Sequence, residues 1–224
     1  MNLFKNINSV FILLFSLIGL DAHSQEEVAT PVVNPPINTE FLFSNRGMAF
    51  QMIIDKKFKS IPKMGFFSVT SLVGEWNDDT INDYMTQGSL TYEIAKGLKL
   101  AGGFHITPVK GMRPIAGLIY TKATRKWLFV ANSRIDFSND ASAEGLILVE
   151  YKPQISKDWN FYSRLQGLYE HSTAIGKQTR SYLMARAGLS YKEFAFGLGS
   201  NIDYYRPAKH NENSYGVFGS ALLF

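Results

Sequence analysis

The chain has 224 residues, of which 46% are hydrophobic and 19% are charged, and its mean hydropathy is -0.07. This average is too polar for a helical membrane protein. The sequence contains no cysteine, which excludes a disulfide framework, a thiolate metal site and a lipid-modified cysteine behind an export signal. The formal net charge is +4, but Lys and Arg are scattered along the sequence, so we expect no nucleic acid partner.

The first 24 residues have the features of a secretory signal peptide. Lys5 precedes an apolar run over 10–20, and the small residues Ala22 and Ser24 form a small-x-small motif for cleavage before Gln25. The run is too short to span a bilayer comfortably, which favours a cleaved signal over an uncleaved anchor. Residues 25–38 are rich in proline and lack periodicity, which predicts a disordered periplasmic lead-in to a domain over 39–224.

Alternating residues from position 39 onward predict β-strands whose apolar faces meet lipid and whose opposite faces line an interior. A short first strand over 39–44 precedes a second over 47–55. The third strand candidate has Phe67, Val69 and Val73 on its apolar face. No helical period of 3.6 residues persists after the signal peptide, so the sequence predicts an all-β fold.

Strand candidates continue with the same period through the middle of the chain, over 84–94, 98–106, 126–137, 147–151 and 158–170. The stretch 112–121 alternates poorly and carries Pro114, which a central strand disfavours. Eleven good candidates and the short first strand give twelve, an even number that puts both chain ends on one side. Ten strands, with 112–121 misread, is the alternative.

The carboxy-terminal stretch gives the clearest strand signal. Phe194, Phe196 and Leu198 share one face of a strand, and the residues between them are small. Aromatic residues also mark the strand ends, which is the girdle pattern of transmembrane barrels. In the last run Phe218, Leu222 and Phe224 are in phase, and the chain ends on Phe224.

This ending resembles the closing strand of small outer-membrane β-barrel proteins of Gram-negative (Bacteroidota-like) bacteria, in which a terminal aromatic serves as the assembly signal. The resemblance implies an assembly signal formed by Phe218, Leu222 and Phe224. It also implies three partners, which are outer-membrane lipid, the barrel-assembly machinery and periplasmic chaperones. We therefore expect an antiparallel up-and-down transmembrane β-barrel of about 12 strands, and no narrower family is identified.

The lengths of the connections between the predicted strands also alternate. Four links are short (95–97, 121–125, 153–157 and 191–193), and others are longer and more polar (76–82, 170–179 and 206–213). Short periplasmic turns and longer external loops are typical of outer-membrane barrels. This pattern predicts that Phe224 lies at the periplasmic end.

Polar residues on the inward faces are the candidate functional set. The predicted lumen-lining residues are Glu93, Lys99, His105, Arg134, Asp136, Glu150, Arg164, Gln166, Arg186, Asn201 and Asp203. Charges of both signs on neighbouring strands can pair, which favours either a salt-bridge network that fills the lumen or a charged constriction in a narrow pore. We expect a non-enzymatic barrel, either a narrow pore or a structural surface protein, whose solute the sequence does not identify.

Two other functions remain as alternatives. A barrel-embedded lipid-modifying hydrolase needs His and Ser within hydrogen-bond reach. The neighbours His171 and Ser172 do not offer this, whereas inward-facing His105 near Ser89 and Glu93 is a better candidate. A soluble periplasmic lipocalin-like binder would bury its aromatic faces. The histidines are far apart in sequence, so we expect no metal site and no cofactor.

Overall fold

Twelve antiparallel strands form a single closed sheet in the part of the chain that the structure describes, with each strand paired to its neighbours in sequence. The structure is a computed structural model that describes residues 32–78, 83–138, 141–206 and 210–224. The predicted signal peptide, 1–24, and residues 25–31 of the predicted lead-in lie outside the described residues. The strands are β1 Ile37–Ser44, β2 Gly47–Lys57, β3 Met64–Glu75, β4 Asp83–Ala95, β5 Leu98–Thr107, β6 Gly111–Ala123, β7 Trp127–Asp136, β8 Ser142–Tyr151, β9 Trp159–Ser172, β10 Lys177–Tyr191, β11 Phe194–Tyr205 and β12 His210–Leu223.

The sheet closes where the first strand pairs with the last. The register between β1 and β12 runs from Ile37 opposite Leu223 to Ser44 opposite Gly216. We call the end that holds Ile37 and Leu223 the terminal end, and the other end the distal end. The stretch that contains Pro114 is a full strand, β6, so the prediction of twelve strands is confirmed and the ten-strand alternative is wrong.

No helix in the described residues is long and apolar enough to cross a membrane.

The outer surface of the barrel is apolar and its inner surface is largely polar. On β11, Leu198 is 70% exposed on the outer face, whereas Asn201 and Asp203 on the inner face are 5% and 7% exposed. Aromatic pairs lie on the outer face near the terminal end, where ring centroids of Trp159 and Tyr191 are 4.9 Å apart. A continuous apolar belt with such girdles is stable in lipid and not in water. The lipocalin-like alternative, which needs the aromatic faces inside, is therefore wrong.

The interior also holds an apolar cluster, which differs from the prediction for the third strand. Phe67 and Val69 of β3 face inward and pack with Ile119 of β6, and Ile53 and Met85 lie against them. The other face of β3 carries the apolar residues Phe66 and Leu72 in addition to polar residues. Because both faces hold apolar residues, the sequence pattern of β3 does not show which face meets lipid. Because a narrow barrel fills part of its interior with side chains, apolar residues are stable on either face.

The closing strand β12 presents Phe218 to the interior. Phe218 is buried with Leu42, Tyr162 and Ala195, whereas Phe224 at the end of the chain is exposed. Phe218, which was predicted to share one face of the strand with Leu222 and Phe224, therefore lies on the inner face of the barrel. The role of these residues as an assembly signal stays a prediction.

The connections do not show the expected difference in length between the two ends. They contain two to seven residues at the distal end (45–46, 76–82, 108–110, 137–141, 173–176 and 206–209) and at the terminal end (58–63, 96–97, 124–126, 152–158 and 192–193). The expectation was wrong because β9, β10 and β12 extend into segments that were assigned to long loops. Connection length therefore does not orient this barrel.

The closing seam provides a test of the fold at Gly216. A Cβ atom on Gly216 would lie 1.9 Å from the Phe43 carbonyl oxygen of β1, whereas a Cβ atom on Gly219 of the same strand would meet nothing within 4 Å. Overpacking of this kind costs about 1–3 kcal/mol. We expect Gly216→Ala to lower stability by about that amount, measured by urea unfolding of the refolded barrel.

Gly219→Ala is the matched control, and its unfolding midpoint should equal that of the wild type. Equal midpoints for both variants would contradict the described β1–β12 register.

Candidate functional site

A single carboxylate joins two arginines inside the barrel. Glu40 of β1 accepts a hydrogen bond from Arg186 Nε of β10 at 2.8 Å and lies 3.2 Å from Arg164 Nη1 of β9. The side chains of all three residues are only 2% exposed. We refer to Glu40, Arg164 and Arg186 as the Glu40 cluster. One negative charge therefore serves two buried positive charges.

Neutral side chains and backbone carbonyls add further hydrogen bonds to the Glu40 cluster, although Arg164 Nε has no hydrogen-bond partner among the described residues. Arg164 Nη2 donates to Gln51 Oε1 of β2 at 2.5 Å and to Gln166 Oε1 at 3.0 Å. Arg186 Nη1 donates to Asn201 Oδ1 at 2.9 Å and to the carbonyl oxygens of Ala185 and Ser200. Since β2 and β9 are five strands apart in the ring, the contact between Arg164 and Gln51 crosses the lumen.

A second group of charges surrounds His105 nearer the distal end. Arg113 Nη2 lies 3.0 Å from His105 Nδ1, and Arg134 Nη2 lies 3.1 Å from His105 Nε2. A neutral imidazole has only one acceptor nitrogen, so it cannot satisfy both guanidinium groups. Carboxylates supply the remaining partners, because Arg134 Nη2 donates to Glu144 Oε2 at 2.6 Å and Arg113 forms an ion pair with Asp136.

The structure does not bring together the residues of the hydrolase alternative. Both ring nitrogens of His105 face arginines, and Ser89 Oγ instead lies 3.4 Å from Gln87 Nε2. Glu93 lies at the terminal end, where it forms an ion pair with Lys57 and accepts a hydrogen bond from the Gly97 amide at 3.0 Å. A base, a nucleophile and a carboxylate within reach of one another are therefore not found at His105.

His171 and Ser172 do not form a hydrolase site either. They are neighbours on β9 and point to opposite faces of the sheet. The Ser172 hydroxyl is buried and lies 3.5 Å from the amide nitrogen of Ile175. The described residues also contain no group of three or more His, Asp or Glu side chains that could hold a metal ion.

Two cavities enter the barrel from its ends and do not meet at the Glu40 cluster. A cavity of about 420 Å³ opens at the distal end and reaches His105 and Tyr182. A cavity of about 140 Å³ at the terminal end reaches Tyr162 and Ala195. Arg164 lines neither of these cavities, and a smaller cavity of about 40 Å³, which shares lining residues with the distal cavity, ends against Glu40, Gln51 and Arg186. The Glu40 cluster and the apolar cluster around Phe67 therefore close the interior at mid-height.

The distal cavity, which we call the vestibule, carries charges of both signs. Its basic residues are Arg46, Lys110, Arg113, Arg134 and Arg180, and its acidic residues are Glu75, Asp78, Asp83, Glu144, Glu170 and Glu212. Several of them pair across strands, for example Lys110 with Glu170 at 3.2 Å and Arg180 with Asp203 at 2.9 Å. A lining of this kind gives little preference for one sign of charge.

Of the eleven predicted lumen-lining residues, ten are buried and Glu93 is half-buried. The structure divides them among the Glu40 cluster, the group around His105, and separate pairs such as Lys99 with Asp55 at 2.5 Å. Glu150 is 2.9 Å from the Tyr162 hydroxyl and also pairs with Lys152. The predicted row is therefore a set of short networks and not one continuous chain of charges.

The residues that complete these networks and that sequence reasoning did not single out include Glu40, Gln51 and Arg113, as well as Glu144, which pairs with Arg134. Glu40 lies in the short first strand, which was predicted only to give an even number of strands. Its place on the face of that strand opposite to Phe41 and Phe43 did indicate an inward side chain. Arg113 was missed because Pro114 weakened the assignment of faces in that strand. Gln51 has no charge, and its importance depends on a contact across the barrel.

No protein-family model matches the chain, and no curated protein matches its sequence. Among solved structures, a NanC porin is 14% identical, with a TM-score of 0.49 over 84% of this chain and 100% of that chain. A KdgM porin is 14% identical, with a TM-score of 0.44 over 84% of this chain and 99% of that chain. OprD of Pseudomonas aeruginosa is 12% identical, with a TM-score of 0.40 over 81% of this chain and 62% of that chain. The barrel assignment rests on the strand pairing of this chain and not on these similarities.

The Glu40 cluster predicts a large loss of stability when its carboxylate is removed. Glu40→Gln would leave two buried guanidinium groups next to each other without the carboxylate that they share, and the loss of one partner of a buried ion pair costs about 3–5 kcal/mol. We expect a corresponding fall in the free energy of unfolding, measured by urea unfolding in detergent micelles. Glu193→Gln, in an exposed turn, is the control and should change little.

The double variant Glu40→Gln/Arg186→Gln should be less destabilised than the sum of the two single variants, because it removes one of the unpaired charges. Additive losses would contradict a direct interaction between Glu40 and Arg186.

Proposed function

We propose that the chain is a non-enzymatic β-barrel of the Gram-negative outer membrane whose narrow polar lumen is closed at mid-height by the Glu40 cluster. One observation carries this proposal, namely that the apolar side chains face outward while the charged side chains meet inside. A soluble barrel would have the reverse arrangement. The vestibule would admit small polar solutes from the distal end, and the Glu40 cluster would form the constriction of a narrow pore.

The location in the outer membrane is supported by the even number of strands, which places both ends of the barrel on one side. In this proposal the terminal end faces the periplasm and the distal end faces outward. The predicted signal peptide would export the chain, and periplasmic chaperones and the barrel-assembly machinery would deliver it. The solute is described only as small and polar, since both signs of charge line the vestibule.

A structural surface protein is the second candidate, and the burial of the Glu40 cluster favours it. The charged side chains of this cluster are only 2% exposed and are paired across strands, so they can act as a plug that fills the middle of the barrel. In this case the lumen never opens, and the network acts only to hold the wall together. Conductance distinguishes the two candidates directly.

The proposed constriction is tested by single-channel recording in planar bilayers. The wild type should show little or no steady current, because Arg164 crosses the lumen between β9 and β2. Arg164→Ala removes that side chain and should raise the unit conductance severalfold. Arg46→Ala is the matched control, since Arg46 lines the vestibule and not the small cavity beside Glu40 and Arg186, and it should leave the unit conductance near that of the wild type.

A large steady current in the wild type would contradict closure at the Glu40 cluster. If Arg164→Ala inserts and unfolds like the wild type but remains silent, the pore proposal fails and the structural candidate is favoured.

A further inference from the structure

Basic residues that are scattered in the sequence are gathered at one end of the barrel. The strands place eight exposed Lys and Arg residues in or beside the turns of the terminal end, and these form what we call the basic rim: Lys59, Lys63, Lys96, Lys122, Arg125, Lys126, Lys157 and Lys192. In the same turns Glu193 is exposed and Asp158 is half-buried. The rim therefore carries a clear excess of positive charge.

The distal end has no comparable excess among its described residues. The exposed charged residues there are two acidic ones, Glu75 and Asp78, and two basic ones, Lys177 and Arg206. Its other basic residues face the vestibule, where they pair with carboxylates, as Arg46 does with Glu75 and Glu212 at 2.5 Å. The positive surface is therefore a property of the terminal end and not of the whole barrel.

The charges of the basic rim lack acidic partners within the chain. Among the described residues, none of the eight forms an ion pair within 4.0 Å. Arg125 donates to the neutral Gln154 at 2.6 Å, and Lys192 Nζ lies 5.3 Å from the Tyr191 ring. Like charges arranged in a ring repel one another, so a bound anion would stabilise the rim.

The rim is continuous with the lipid-facing girdle. Trp127 and Trp159 begin β7 and β9 directly after rim turns, and their rings pack on Tyr151 at 4.2 Å and Tyr191 at 4.9 Å. Aromatic girdles of this kind lie at the depth of lipid headgroups. Long Lys side chains beside such a girdle reach the headgroup layer. A phosphate-bearing lipid therefore fits the rim better than a soluble polyanion does.

We propose that the basic rim binds the phosphate groups of anionic phospholipids in the leaflet that meets the terminal end. This inference rests on the membrane location proposed above and goes beyond the pore. In the proposed orientation the leaflet is the periplasmic one. The rim then gathers anionic lipid around the barrel and holds the terminal end at the membrane surface.

The test uses the tryptophans as reporters. The barrel with Trp76→Phe keeps Trp127 and Trp159, both next to the rim. It is refolded into phosphatidylcholine vesicles that contain an equal fraction of brominated phosphatidylcholine or brominated phosphatidylglycerol. Brominated phosphatidylglycerol should quench the fluorescence more strongly, and added salt should reduce the difference.

Lys126→Gln/Lys157→Gln removes two rim charges beside the reporters, and it should lower the preference for phosphatidylglycerol roughly threefold or more. Lys177→Gln/Arg206→Gln, the matched pair at the distal end, should keep the wild-type preference. Equal quenching by the two lipids in the wild type, or an equal loss in both double variants, overturns the assignment. If neither lipid quenches the fluorescence, the proposed membrane location is overturned as well. This result differs from equal quenching by both lipids, which overturns only the binding of anionic lipid by the basic rim.

Discussion

The structure depends on the closure of the sheet between β1 and β12. In hydrocarbon each unpaired backbone group costs several kcal/mol, so a spanning sheet must have no edge. All eight residues of β1 pair with β12 on one side, and six of them, Asn38 to Phe43, pair with β2 on the other. The same short strand carries Glu40, and closure of the sheet brings this carboxylate to Arg164 and Arg186. Closure of the wall and neutralisation of the interior are therefore achieved by one element.

The interior follows from this closure. A buried guanidinium group is stable only with a counter-charge and hydrogen-bond acceptors, and Glu40, Gln51 and Asn201 supply them from three strands. In addition to these polar contacts, Phe67 and Ile119 form a buried apolar cluster inside the barrel. The result is a vestibule that is open at the distal end and shut at mid-height. The same residues form the constriction of the proposed pore and the plug of a purely structural barrel. The two candidates differ only in whether these side chains can separate to open the lumen.

Much of the architecture was predictable because a strand that separates lipid from a polar interior must alternate. On β11 the alternation of Phe194, Phe196 and Leu198 with small residues gave the correct faces. Prediction failed where both faces of a strand carry apolar residues, as at Phe67, because a partly filled barrel tolerates apolar groups inside. Glu40 was missed because its short strand was inferred only from the number of strands, and Gln51 was missed because its role arises from a contact across the lumen. The basic rim was missed because its residues are far apart in sequence and meet only at the turns.

The most direct test of the account is the direction of the faces on β11. The chain has no cysteine, so single cysteines can be spin-labelled along β11 in the barrel refolded into vesicles. Gly197 and Gly199 are left unchanged, because a Cβ atom there would lie 2.3 Å from the Ala187 carbonyl oxygen and 2.8 Å from Leu42. We predict that collisions with lipid-soluble oxygen are frequent at Phe196, Leu198, Ser200 and Ile202 and rare at Ala195, Asn201 and Asp203. A reversed pattern, or no alternation, would contradict a barrel whose apolar face meets lipid.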